Sequence, residues 1–198
     1  MKEAIDFLKK DKVMKAIIEK KGEEIKLSQS DNYFESLLTT IIYQQLSGKA
    51  AKSILQKLLA LFPEQKPTPE LLLKVKEEDL VAAGISRQKR GYLFSLAEKF
   101  ADGTITTEKF HKMTDEEIIQ ELVQVKGIGR WSAQMFLMFD LGREDVFAPD
   151  DLGLRKALQI NYDFDELPKP KEAGKFAERW KPYRTYASIF LWRSISKS

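Results

Sequence analysis

Two short segments of this 198-residue chain combine residue types that can do chemistry. Residues 126–131 read Lys-Gly-Ile-Gly-Arg-Trp, and residues 146–151 read Val-Phe-Ala-Pro-Asp-Asp. The first segment predicts a turn that opens a helix, where outward-pointing backbone amides can hold a phosphate. The second segment puts two carboxylates at the start of another helix. Together they predict a phosphate grip coupled to an acidic reaction centre.

The two glycines allow two interpretations. Gly127 and Gly129 permit positive φ angles and the close approach of another backbone. An ordinary corner between two helices needs glycine for the same geometric reasons, so the turn alone leaves both interpretations open. The cations Lys126 and Arg130, which flank the turn, favour a polyanionic partner.

The acidic pair has the same ambiguity. An Asp at a helix N-terminus is commonly an N-cap, which is worth roughly 1 kcal/mol. If one of Asp150 and Asp151 caps the helix, the other is available for chemistry. Because the helix dipole favours negative charge at this end, such a carboxylate suits a charge stabiliser or base better than a proton donor.

Composition narrows the chemistry further. The chain has no cysteine and one histidine, His111, which we interpret as an ordinary loop or helix-end residue. Thiolate nucleophiles, zinc-thiolate sites, histidine-rich metal sites and iron–sulfur clusters are therefore excluded. Carboxylates, hydroxyls, amides, aromatic rings and backbone groups remain.

The distribution of charge is a weak indication of a nucleic-acid partner. The net charge is +3, but residues 155–198 carry ten Lys or Arg against five Asp or Glu, interleaved with aromatic residues. No apolar stretch approaches the roughly twenty residues that cross a bilayer. Acidic residues also stand near the N-terminus, where a signal peptide would be apolar. We expect a cytoplasmic, nucleoid-associated monomer without a membrane partner.

Almost every segment has the spacing of an amphipathic helix. The apolar residues from Phe34 to Leu46 recur every three or four positions after Asp31, the predicted N-cap. Thr114 and Glu117 form the pattern of a capping box. Apart from a short extended piece near residues 22–27, no alternating pattern predicts a strand. The sequence therefore predicts an all-α fold.

Four ordered motifs give a specific resemblance. Residues 41–47 read Ile-Ile-Tyr-Gln-Gln-Leu-Ser, the glycine turn lies within residues 125–133, the acidic pair ends residues 146–151, and residues 178–187 read Glu-Arg-Trp-Lys-Pro-Tyr-Arg-Thr-Tyr-Ala. This pattern resembles the helix-hairpin-helix DNA glycosylase superfamily and, within it, the 3-methyladenine DNA glycosylase II family. The chain matches the compact form, which lacks an additional N-terminal sheet domain.

The resemblance implies a single two-lobed helical domain, residues 1–198, with the active site in the cleft between the lobes. Lobe A would cover about residues 33–140 and include the hairpin at residues 123–133. Lobe B would combine an N-terminal helix within residues 1–30 with C-terminal helices in residues 150–198.

The resemblance also assigns roles around the reacting nucleotide. Asp151 matches the catalytic aspartate of the family, and Trp131 and Trp192 match aromatic positions that line the base pocket. Met135 and Leu152 fall where other members carry aromatic residues, so this pocket is expected to be less aromatic.

Further positions match DNA-binding residues of the family. Gln45 falls where members insert a side chain into the gap left by the flipped nucleotide, and Gln44 and Ser47 belong to the same motif. The hairpin that grips the DNA backbone 3′ of the lesion corresponds to Lys126, Gly127, Ile128, Gly129 and Arg130. No metal site built from side chains and no cofactor are expected, although family hairpins can hold a monovalent cation through main-chain carbonyls.

The implied activity is excision of damaged bases from double-stranded DNA. The enzyme would flip out an alkylated purine of the 3-methyladenine type and hydrolyse its glycosidic bond, leaving an abasic site. Trp131 stands where lyase-type relatives have a lysine, so the resemblance implies a monofunctional hydrolase. Two alternatives stay open: a glycosylase for uracil, hypoxanthine or an oxidised purine, and a non-catalytic damage-binding module in which Asp151 only caps its helix.

Overall fold

The computed structural model describes residues 1–22 and 24–196. Within these ranges the secondary structure consists of helices, with no strand, so the predicted all-α fold is confirmed. The α-helices are α1 (Lys2–Leu8), α2 (Lys12–Lys21), α3 (Tyr33–Tyr43), α4 (Gly48–Leu59), α5 (Pro69–Leu72), α6 (Glu77–Ala82), α7 (Arg87–Ala101), α8 (Asp115–Leu122), α9 (Arg130–Phe139), α10 (Leu152–Asn161), α11 (Pro170–Ala177) and α12 (Arg184–Ile195). Short 3₁₀ helices cover Pro63–Gln65, Thr107–Lys112 and Glu178–Trp180. In the described ranges no helix is both long and apolar enough to cross a membrane.

The chain forms two compact units. Unit 1 combines residues 1–29 with residues 137–198, and unit 2 comprises residues 30–136. The division falls inside α9, four residues before the predicted end of lobe A at residue 140. The loop after α9 belongs to unit 1 because the Thr185 hydroxyl donates to the Arg143 carbonyl at 2.6 Å and accepts from the Val146 N–H at 3.0 Å.

Helix α12 lies at the centre of unit 1, since α1, α2 and α10 all pack against it. The buried apolar side chains of this unit include Met14, Ile18, Leu154, Leu158, Phe190 and Leu191. Each such side chain contributes about 1.5–3 kcal/mol when it leaves water. The packing of α10 on α12 fixes the position of the acidic segment at the start of α10.

Asp11 connects three elements of unit 1. Its Oδ1 caps α2 by accepting from the N–H groups of Val13 and Met14 at 3.0 and 3.1 Å. Its Oδ2 accepts from the Tyr162 hydroxyl at 3.0 Å and from the Trp180 indole at 3.3 Å. Burial, followed by the nearby Asp11 charge, raises the pKa of Tyr162, so the hydroxyl remains a donor.

Helix α7 organises unit 2, because α3, α5 and α6 pack against it. The apolar face predicted for α3 is buried from Phe34 to Ile42. Leu46 does not belong to that face, because α3 ends at Tyr43 and the Leu46 side chain is exposed.

The N-cap predicted at Asp31 is wrong by one residue. Asn32 caps α3, and its side-chain oxygen accepts from the Glu35 N–H at 3.1 Å. Both residue types are good N-caps, so type alone does not separate them. The predicted capping box of Thr114 and Glu117 is confirmed.

The Asp11 contacts predict a specific loss of stability. Replacing Asp11 with Ala removes the cap of α2 and leaves two largely buried donors without their acceptor, so the free energy of unfolding should fall by about 2–3 kcal/mol. Urea denaturation measures this change. The exposed Asp6→Ala variant is the matched control and should change the unfolding free energy by less than about 0.5 kcal/mol. Equal effects in the two variants would contradict the role assigned to Asp11.

Candidate functional site

Asp151 is the N-cap of α10 and is half-buried. Its Oδ1 accepts from the N–H of Leu154 at 2.7 Å and from the indole Nε1–H of Trp192 at 2.9 Å. Trp192 belongs to α12, which packs against α10. One carboxylate oxygen is therefore fixed both by a helix N-terminus and by a tryptophan from a second helix.

The capping role falls on Asp151 itself, while Asp150 is exposed. Asp151, which the resemblance assigns to catalysis, is therefore also the residue that caps the helix. A carboxylate that must cap a helix has its orientation defined by the helix, and the indole donor defines it further. Such a fixed negative charge can stabilise a positive charge that develops in front of it.

Gly153 makes the contact between Asp151 and Trp192 possible. A β-carbon at this position would lie 3.0 Å from Asp151 Oδ1 and 3.1 Å from Trp192 Cδ1. Contacts this short would shift the carboxylate or the indole by a few tenths of an ångström, so glycine leaves room for their hydrogen bond. The sequence analysis missed this residue, although a glycine in the first turn of a helix was a visible signal.

Phe139, at the end of α9, was also missed. Its side chain is 46% exposed, and its ring centroid lies 6.2 Å from that of Trp192 with the rings tilted by 33°. Leu152, the first residue of α10, is 50% exposed. Unit 1 therefore presents accessible aromatic surface next to the Asp151 carboxylate. The signal in the sequence was the apolar run of α9 continuing to its last residue.

In unit 2, Trp131 and Met135 lie four residues apart on α9. This spacing puts them on one face of the helix. The Trp131 side chain is 47% exposed, whereas Met135 is half-buried. A large, accessible indole at the start of α9 can provide a flat surface for an aromatic ligand.

The predicted glycine turn forms a hairpin between α8 and α9. Gly127 has φ = +86°, and a β-carbon on it would overlap the ring of Tyr92. Gly129 differs, because its φ is not positive and nothing in the described chain lies within 4 Å of a β-carbon there. Gly127 is thus required by the fold, while the space at Gly129 is open to a partner.

The hairpin amides are not equivalent. The N–H of Ile128 donates to the Val125 carbonyl at 3.0 Å, and the Ile128 side chain is buried. The N–H of Lys126 donates to the Ser95 hydroxyl at 3.1 Å. The N–H groups of Ile128 and Lys126 are therefore already used within unit 2. The amides of Gly127 and Gly129 are the remaining candidate phosphate donors.

The two cations of the hairpin also differ. Lys126 is exposed. The Arg130 guanidinium forms a two-pronged ion pair with Glu116, with N···O distances of 2.9 and 2.6 Å. Hydrogen bonds from Arg130 and then from Gln120 lower the pKa of Glu116 to about 2, so this pair persists at neutral pH. Lys126 is therefore the more accessible of the two cations.

A tight turn, residues 43–46, connects α3 to α4 and carries both glutamines of the first motif. Gln44 has φ = −54° and ψ = 131°, and Gln45 has φ = +56°. These angles resemble a type II turn, which usually has Gly or Asn at the position of Gln45. A left-handed conformation costs a residue with a side chain roughly 1–2 kcal/mol. The exposed Gln45 side chain is therefore retained at a strained position, a feature often found at functional sites.

Gln44 and Ser47, which belong to the same motif as Gln45, have different surroundings. The Gln44 amide donates to the Gly127 carbonyl at 2.8 Å, which links the α3–α4 turn to the hairpin. Ser47 is exposed, precedes α4, and makes no side-chain cap bond. Unit 2 therefore brings the turn and the hairpin together in a defined arrangement.

Comparison with known proteins identifies the family. The family model described as "HhH-GPD superfamily base excision DNA repair protein" matches residues 38–182. DNA-3-methyladenine glycosylase 1 of Schizosaccharomyces pombe is 36% identical over 163 residues, which cover 81% of this chain and 72% of that protein.

Two solved structures are similar over nearly the whole chain. DNA-3-methyladenine glycosidase from Bacillus halodurans has a TM-score of 0.85 at 33% identity, covering 95% of this chain and 86% of that chain. The 3-methyladenine DNA glycosylase of S. pombe in complex with abasic DNA has a TM-score of 0.85 at 32% identity, covering 97% and 96%. As the four motifs predicted, this chain belongs to the HhH-GPD superfamily of base excision DNA repair proteins and, within it, to the 3-methyladenine DNA glycosylase family.

Proposed function

We propose that this protein is a DNA glycosylase that turns an alkylated purine out of double-stranded DNA and hydrolyses its glycosidic bond, leaving an abasic site. The observation that carries this proposal is the Asp151 carboxylate, which accepts two N–H donors at one oxygen. The similar proteins named above supply independent support, because they are named for 3-methyladenine removal.

The substrate class suits the available groups. A purine alkylated on a ring nitrogen is positively charged and already a good leaving group, so its departure needs little general-acid catalysis. A chain with no cysteine and a single histidine can therefore perform the reaction. An unmodified purine is a poorer leaving group, so its release would need protonation by a general acid.

Asp151 would act on the sugar. As the glycosidic bond breaks, the deoxyribose gains positive charge, and a carboxylate about 4 Å away at an effective dielectric constant near 20 attracts that charge by about 4 kcal/mol. This energy corresponds to about a thousandfold in rate. The carboxylate can also orient the attacking water. The hydrogen bonds from Leu154 and Trp192 hold the carboxylate in one orientation.

Aromatic faces would receive the extruded base. Trp131 and Trp192 are the proposed stacking residues, and a cation held against an indole face gains about 0.5–2 kcal/mol. Phe139 adds a third accessible ring beside Trp192. Met135 and Leu152 are proposed as further apolar contacts of the base.

Unit 2 would hold the DNA. The amides of Gly127 and Gly129 and the ammonium of Lys126 are suited to backbone phosphates, and these contacts should dominate affinity. Gln45, exposed on its tight turn, is proposed to fill the gap left by the flipped nucleotide. Ser47 is proposed as a further contact near this gap.

We also propose that the hairpin binds a monovalent cation through main-chain carbonyls. The Gly127 carbonyl accepts from the Gln44 amide, and its oxygen keeps a second lone pair for such an ion. A bound ion would hold the hairpin against phosphate repulsion. If DNA affinity is the same in potassium and tetramethylammonium salts of equal ionic strength, this ion has no role.

A second candidate function is a binding module that recognises damage without chemistry. It is favoured by one observation, namely that Asp151 is a genuine helix cap. The bond from Trp192 is not needed for capping, and it supports the catalytic proposal instead. Substitution of Asp151 separates the two functions.

Asp151→Asn should abolish most excision without unfolding the protein. Asn caps helices as well as Asp does, so stability should change little, but the negative charge is lost. We expect the single-turnover rate of 3-methyladenine release to fall about a hundredfold to a thousandfold, with near-normal binding to abasic DNA. Asp150→Asn, at the exposed neighbour, should release the base at the wild-type rate. Unchanged excision by Asp151→Asn would remove this residue from the mechanism.

A lesion panel tests substrate and reaction type together. The duplexes would carry 3-methyladenine, 7-methylguanine, hypoxanthine, ethenoadenine, uracil or 8-oxoguanine. We expect release of alkylated purines and an uncut abasic strand, because the indole of Trp131 cannot form a Schiff base with the sugar. Release of uracil without 3-methyladenine would overturn the substrate class. A borohydride-trapped adduct between protein and DNA would overturn the monofunctional reaction.

The two hairpin glycines should respond differently to Ala. Gly127→Ala should lower the unfolding free energy by about 1 kcal/mol or more, because φ is positive and Tyr92 occupies the space. Gly129→Ala should fold normally but bind duplex DNA at least about tenfold more weakly, since its methyl group obstructs a phosphate. Thermal denaturation and fluorescence anisotropy measure these effects. Normal DNA affinity in a folded Gly129→Ala protein would contradict the proposed grip.

A further inference from the structure

Lys89 holds the α3–α4 turn from a neighbouring helix. Its side-chain Nζ donates to the Ile42 carbonyl at 2.5 Å and to the Gln44 carbonyl at 2.7 Å. These acceptors flank the C-terminus of α3, where carbonyl groups lack partners within the helix. The bond that would close the turn by itself, from the Leu46 N–H to the Tyr43 carbonyl, is long at 3.4 Å. Lys89 therefore adds two short contacts to a turn whose own closing bond is long.

The lysine is specialised for this position. Its ammonium is half-buried, and burial lowers its pKa below the ordinary value. A cation is favourable at the C-terminal end of α3, because the helix dipole is negative there. Since the two carbonyls take two of its three donors, Lys89 acts as a clamp on the backbone that precedes Gln45.

One face of α7 holds both the turn and the hairpin. Lys89, Tyr92 and Ser95 recur at three-residue spacing. Lys89 binds the α3–α4 turn, the Tyr92 ring packs against Gly127, and the Ser95 hydroxyl accepts from the hairpin backbone at 3.1 Å. The bond from the Gln44 amide to the Gly127 carbonyl joins the two held segments directly.

We propose that Lys89 is a positioning residue for base extrusion, which holds the α3–α4 turn so that Gln45 projects at a fixed place relative to the hairpin. This inference rests on the proposed glycosylase function and on Gln45 as the side chain that enters the duplex. Without the clamp, the strained turn relaxes and the Gln45 side chain loses its fixed orientation. The hairpin still grips the phosphate, but the gap in the duplex is no longer filled.

A comparison of duplex with single-stranded substrate distinguishes a positioning role of Lys89 from a general effect on the stability of the protein. A base that is already unpaired needs no wedge, whereas a base inside a duplex does. We expect Lys89→Met to slow single-turnover release of an alkylated purine from a fully paired duplex at least about tenfold, but from a single strand by less than about twofold. Gln45→Ala should show the same selectivity. The double variant should be no slower than the slower single variant, because Lys89 acts only through the position of Gln45.

Controls distinguish the possible outcomes. Lys99→Met, in the last turn of α7, should leave both rates unchanged. If Lys89→Met does not fold, as judged by circular dichroism, Lys89→Gln replaces it in the same comparison. Its neutral, shorter side chain cannot bridge both carbonyls as lysine does, so only release from the duplex should slow. Equal slowing on both substrates, or no slowing on the duplex, would overturn the positioning role. Absence of base release by the wild-type protein from every lesion would instead overturn the proposed function.

Discussion

The two hydrogen bonds to Asp151 Oδ1 are the constraint on which the proposed chemistry depends. The Leu154 N–H ties the carboxylate to the start of α10, and the Trp192 indole ties it to α12. The absence of a side chain at Gly153 leaves room for these groups to meet. The packing of α10 on α12, supported by the Asp11 network, therefore sets the direction of one charged group. A fixed charge needs no reorganisation when a positive charge develops nearby.

In unit 2, backbone segments rather than a side chain are held in a fixed orientation. The turn that contains the strained Gln45, with φ = +56°, and the hairpin that contains Gly127, with φ = +86°, are both held by α7. The bond from Gln44 to Gly127 joins them directly. Strain of this kind persists only where the surroundings determine the conformation. The presence of Lys89 and Tyr92 on one helix face explains how a short turn and a hairpin distant in sequence keep a constant spacing.

Helix type and several caps followed from sequence because they depend on local spacing. The buried face of α3 and the Thr114 box were predictable for this reason. The motif positions of Asp151 and the hairpin were visible for the same reason. Which of Asp150 and Asp151 caps α10 was not predictable, because both residues are good N-cap types at adjacent positions. The bond from Trp192 to Asp151 was not predictable, because Trp192 lies 41 residues away in the sequence. Lys89, Gly153 and Phe139 were missed because their roles are contacts between helices. The pairing of Arg130 with Glu116 likewise depends on how α8 lies beside α9.

The most direct test of a carboxylate that faces a growing positive charge is the affinity for two abasic analogues. One duplex would carry a cationic pyrrolidine in place of the sugar, and the other a neutral tetrahydrofuran of the same shape. We expect wild-type protein to prefer the cationic analogue by about a hundredfold or more, and Asp151→Asn to lose this preference while binding the neutral analogue normally. An equal preference in both proteins would contradict the account.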